Sequence, residues 1–122
     1  MPRVQFIAGL FLASTLVPSA FPAPETLTGH LIDITCYAQD RANTGIAHRG
    51  KGVICAQACA REGFSVGILM PNGRVYRIIG DLSAHQNAQL VPLMSQVVTI
   101  TGEVAEKDGQ FTIAASDLKP EK

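Results

Sequence analysis

The chain has 122 residues, enough for one small domain, with ten Lys and Arg against ten Asp and Glu and no tryptophan. This balance argues against nucleic-acid binding by bulk charge, and two tyrosines with five phenylalanines offer little surface for base stacking. The sequence also lacks a G-x-S-x-G elbow, a P-loop, an H-E-x-x-H helix, a glycine-rich dinucleotide fingerprint and any evident pair of carboxylates flanking a cleft. The reading therefore leans away from an enzyme.

Met1-Pro2-Arg3 gives a positive start, and Val4 to Val17 is apolar except for Gln5, Ser14 and Thr15. Small residues follow at Ser19 and Ala20, then the proline-containing FPAPE. Residues 1–20 read as a secretory signal peptide cut after Ser19 or Ala20, too short and wrongly flanked for a stable membrane span. An uncleaved N-terminal anchor is the alternative. No cysteine stands near the cut to carry a lipid. The expected mature protein is periplasmic or secreted, without a membrane span. It keeps nine Lys and Arg against ten Asp and Glu, since only Arg3 is lost. A chain of about 100 residues often needs a disulfide or a metal to supplement its core.

Residues 21–25 read as a linker, 26–118 as the domain and 119–122 as a tail. From Thr26 the pattern has period two: Thr28, His30, Ile32, Ile34 and Cys36 share one strand face, and Leu27, Gly29, Leu31, Asp33 and Thr35 the other. Both faces carry aliphatics, so a long coiled strand is expected, bending at Gly29 and ending at Cys36. Residues 37–52 hold Asn43, Gly45, Gly50 and Gly52 without sustained period and read as a loop. Val53–Glu62 is alanine-rich and is followed by Gly63, which predicts a short helix with a glycine cap.

FSVGILM and RVYRIIG, joined by Pro71-Asn72-Gly73, predict a hairpin with Phe64, Val66, Ile68 and Met70 on one face. On its partner, Val75 and Ile79 or Tyr76 and Ile78 face the core. Ser83 and Gln86 have capping-box spacing and predict a helix through Ala88, Leu90 and Val91 that stops near Pro92. VVTITGEVAE and QFTIAASDL predict a second hairpin across Lys107-Asp108-Gly109. The fold class is thus mainly β: a five-stranded OB-like Greek-key barrel with a short Cys-bearing helix after strand 1 and a helix between strands 3 and 4. A β-sandwich or SH3-like barrel is the alternative.

All three cysteines lie between Cys36 and Cys59. Cys55 and Cys59 stand four apart, on one helix face with parallel Cβ vectors, which disfavours a disulfide between them. Cys36 and His48 come from the preceding strand and loop. Cys36, His48, Cys55 and Cys59 form a Cys3His set suited to tetrahedral zinc or, with fewer ligands, cuprous copper. Asp33 and Tyr37 flank this set as candidates to support it from behind. Arg41, Arg49, Lys51 and Arg61 surround the thiols with no acid between residues 41 and 61, forming a thiolate-stabilising or anion-binding patch, or simply a solvated loop. Covalent c-type haem is not expected, because Ala60 rather than His follows Cys59. His30, roughly 20 Å along a strand from Cys36, and His85, in a helical first turn, read as surface or barrel residues.

Asp33 to Tyr37 (D-x-x-C-Y), His48 and Cys55 to Ala60 (C-A-x-x-C-A) together resemble small exported bacterial OB-fold-like proteins of uncharacterised role with a Cys/His-bearing first loop. The resemblance implies a periplasmic or secreted location and a metal or redox role, and it carries no catalytic residues across. Metal binding without turnover, with Zn or Cu as the ion and a metal-handling protein as partner, is the leading expectation. A disulfide-stapled interaction domain and a thiol–disulfide redox protein are the alternatives.

Overall fold

Alternating aliphatic and β-branched residues build five strands in a computed structural model that describes Gly9, residues 23–44 and residues 52–121. These are β1 (Pro24–Asp33), β2 (Val66–Leu69), β3 (Val75–Ile79), β4 (Val97–Lys107) and β5 (Gln110–Pro120). The signal peptide and its cut, together with His48, Arg49 and Lys51, lie outside the described residues. β1 begins inside the expected linker and β5 runs into the expected tail. Among the described residues, no helix is long and apolar enough to cross a membrane.

β1 pairs antiparallel with both β2 and β4, β2 with β3, and β4 with β5, while β3 and β5 run parallel. Every strand therefore has a partner on each side, in the closed order β1-β2-β3-β5-β4. β1 serves β4 from Pro24 to His30 and β2 from His30 to Asp33, so the strand must bend where it changes partner. Gly29 sits at that change, where an added Cβ would fall 2.3 Å from the Leu69 carbonyl oxygen. Only glycine admits this approach.

The β2–β3 hairpin forms as the Asn-Gly signal predicts, and Tyr76 and Ile78 are the residues of β3 that turn inward. Phe64, by contrast, is exposed. Asp108 and Gly109 close β4 onto β5 with φ of 52° and 77°, the paired left-handed conformation of a two-residue hairpin loop. The core collects Leu31, Val66, Ile68, Leu90, Met94, Val98, Ile100 and Ile113.

The chain after β1 departs from the expected long strand and loop. β1 stops at Asp33, and Ile34–Gln39 forms a short helix, α1. The cause is a cap: the Asp33 side chain accepts the backbone N–H of Cys36, which turns the chain out of the sheet. Cys36 is therefore the third residue of a helix, not a strand end. The second helix, α2 (Gly52–Arg61), matches the expected Cys-bearing helix. Its end has both hydrogen bonds of a glycine cap: Gly63, with φ of 88°, donates to the Ala60 carbonyl at 3.0 Å, and Phe64 donates to the Cys59 carbonyl at 3.3 Å.

The single helix expected between β3 and β4 is replaced by two 3-10 turns, Asp81–Ser83 and Val91–Leu93, around a four-residue turn, Ala84–Asn87. His85, Gln86 and Asn87 have φ of 55°, 55° and 59°, all left-handed. The capping box is not formed; the Ser83 hydroxyl donates to the Gly80 carbonyl instead. Three consecutive left-handed residues cost on the order of 1 kcal/mol each. What offsets that cost is Asn87, buried, whose amide donates to the Ala60 and Phe64 carbonyls, both at 2.9 Å. Tertiary hydrogen bonds here override a local helix signal.

Asn87→Ala is expected to lower stability by about 2–3 kcal/mol, combining lost buried hydrogen bonds with a strained left-handed alanine. Asn87→Gly, which keeps the backbone at ease, should cost less. Urea unfolding with an unchanged m-value checks both.

Candidate metal centre

The C-A-x-x-C-A pattern places two rows of residues along α2. Ala56 and Ala60 are buried against the core. Cys55 and Cys59 form the adjacent row, one step around the helix, and are half-buried at the edge of the core. Alanine lets the helix lie close, and the glycine cap and Asn87 fix its last turn, where Cys59 stands.

From the other side, the end of β1 and the first turn of α1 present Asp33 and Cys36. The Cys36 backbone is fixed at both ends: its N–H goes to Asp33 Oδ1 at 3.1 Å, and its carbonyl accepts the Asp40 N–H at 3.0 Å and the Asn43 amide at 3.1 Å. Asn43 is itself buried. The result is a junction of two elements far apart in sequence. A carboxylate oxygen of Asp33 and the sulfurs of Cys36 and Cys59 all lie within 4.8 Å of one another.

Asp33 is only 3% exposed, so its charge is largely withdrawn from water. Oδ1 caps α1, whereas Oδ2 is buried without a hydrogen-bond partner of ordinary geometry. A buried carboxylate oxygen in that state is costly unless a proton or cation faces it. The Cys59 thiol supplies a proton in the metal-free protein. Burial first, then the Asp33 charge and its hydrogen bond, then Cys55 and Cys36 push the Cys59 thiol from 9.0 up to about 12.

Of the four expected ligands, the structure thus brings together Cys36 and Cys59. Cys55 stands one turn before Cys59, near enough to add to its raised value but outside the three-residue group. His48 lies outside the described residues. Asp33, expected behind the ligands, stands in the group itself. Tyr37 is half-buried in α1. Arg41 is exposed in the turn after α1, and Arg61 is exposed at the end of α2, lining a shallow surface cavity with His85 and Pro92. Among the described residues the environment of Cys59 favours the thiol, while Arg49 and Lys51 of the expected basic patch lie outside them. His30 lines a separate apolar cavity with Leu69 and Met70.

Asn43 and Asn87 were invisible as site-positioning residues: Asn87 acts on carbonyls distant in sequence, and Asn43 stands in a stretch without sustained period. Asp33 did carry a readable signal, the D-x-x-C spacing of a helix cap.

Because its folded value lies above 9.0, Cys59 favours the folded metal-free protein below pH 9, and that contribution disappears as pH rises towards 12. Iodoacetamide should therefore modify Cys59 slowly at pH 9 in the folded chain and readily in the unfolded one. Asp33→Asn should move its reactivity to lower pH, read by mass mapping of the Cys59 peptide. No family model, curated protein or solved structure matches this chain.

Proposed function

We propose that this chain is a small exported module that holds one metal ion between α1 and α2, for storage or delivery rather than turnover. The observation that carries the reading is the convergence of an Asp oxygen and two Cys sulfurs within 4.8 Å, with the carboxylate buried. Thiolates and carboxylates this close repel one another, and a cation between them relieves that repulsion. Zinc and copper are the ions such donors suit. The closed strand order fits an OB-like Greek-key barrel, with α1 and α2 in the first connection as the platform for the site. Export is supported by the first twenty residues, and the partner would be a protein that gives or takes the ion.

A Cys36–Cys59 disulfide is the second reading, favoured by the same closeness of the two sulfurs. Thiol–disulfide exchange through Cys59 is less well served. Its thiol is held protonated, whereas an attacking sulfur must be a thiolate.

Native mass spectrometry of the protein purified from an exporting cell separates these readings. One bound ion, released by acid, is expected, and Cys36→Ser or Cys59→Ser should each abolish it. A metal-free chain lacking two hydrogen atoms would instead establish the disulfide staple. Zinc addition should also release the Cys59 proton at neutral pH, so affinity should rise with pH, as titration in weak buffer will show.

A further inference from the structure

We propose that Asp33 is itself a metal ligand, which makes this an oxygen-and-sulfur site selective for a borderline divalent ion of the zinc class over cuprous copper. This rests on the metal-binding reading above and adds to it the ligand atom and the class of ion.

A carboxylate that supports a metal site from behind works by accepting a hydrogen bond from a ligand, as it does from the free N–H of a coordinated histidine. Metal-bound cysteines have no such proton to give. Once Cys36 and Cys59 are thiolates, Asp33 has no hydrogen bond to either side chain with which to orient them. Its one structural task, capping α1, is done by Oδ1. Oδ2 is left over: it belongs to a side chain 97% buried (3% exposed), has no partner of ordinary geometry, and lies in the group with the two sulfurs.

The geometry is close to what a tetrahedral ion requires. Zinc bonds of roughly 2.0–2.3 Å to oxygen and sulfur set neighbouring ligand atoms about 3.5–4 Å apart. The observed spread, within 4.8 Å, is close to that separation. The D-x-x-C turn carries two of the three ligands as one unit, since the cap hydrogen bond ties Asp33 to the Cys36 backbone. α2 brings the third.

Charge and softness then choose the ion. One carboxylate and two thiolates carry three negative charges, which a divalent ion offsets better than a monovalent one. Cuprous copper favours sulfur and gains little from a carboxylate, whereas zinc accepts both donors.

Asp33→Asn isolates the claim, because asparagine caps a helix about as well as aspartate and loses only the anionic ligand. The purified chain is titrated with Co2+, with Zn2+ against a chromophoric chelator, and with cuprous ion against a chelator of its own. Wild type should show tetrahedral Co2+ bands with sulfur-to-metal charge transfer. Asp33→Asn should shift those bands and weaken Zn2+ by about 100-fold or more, beyond the usual cost of losing an outer hydrogen bond. Its cuprous affinity should be unchanged. X-ray absorption of the zinc-loaded wild type needs no variant and should show a light-atom ligand beside sulfur. A sulfur-only shell, or Asp33→Asn keeping both bands and Zn2+ affinity, overturns the assignment while leaving metal binding intact. Failure of wild type to bind any of these ions overturns both.

Discussion

The buried carboxylate of Asp33 is the constraint around which the first half of the molecule is arranged. It lies where β1 leaves the sheet, and one of its oxygens starts α1 by accepting the Cys36 N–H. The other oxygen is buried among sulfurs with no ordinary hydrogen-bond partner. A charge so placed destabilises the fold unless a proton or a cation stands opposite it. In the metal-free protein the Cys59 thiol takes that part, its proton held by burial first and then by the Asp33 charge. In the metal-bound protein the ion would replace the proton.

The rest of the structure serves to bring α2 to that carboxylate. Bending β1 at Gly29 lets one strand pair with β4 and then, as far as Asp33, with β2. The alanine row of α2 seats the helix on the core, and the cysteine row follows from it by helical geometry. Asn87 reaches from the β3–β4 connection to the carbonyls of Ala60 and Phe64, on either side of the glycine cap. Three left-handed residues are tolerated to make that reach, so the strain in one segment is linked to the position of Cys59 in another.

Much of this was legible in residue order, and the parts that were not share a physical cause. The two hairpins, the Gly63 cap and the paired placement of Cys55 and Cys59 depend on neighbours within a few residues, and each could be read. The helix expected after Ser83 failed because Asn87 trades local hydrogen bonds for two distant carbonyls. The strand expected to reach Cys36 failed because period-two alternation masked the Asp33 cap, two competing local signals over the same residues. Among the candidate ligands, the thiols were found by their chemistry. Asp33 was read as a support behind them, because residue order does not show that the fold buries it beside two sulfurs.

The central claim is that one divalent ion joins β1, α1 and α2 through Asp33, Cys36 and Cys59. Anomalous diffraction at the zinc edge from crystals of the zinc-loaded protein tests it most directly. The account predicts a single strong peak within about 2.0–2.3 Å of an Asp33 oxygen and of both sulfurs. A peak elsewhere, or continuous density joining Cys36 to Cys59 as a disulfide, would contradict it.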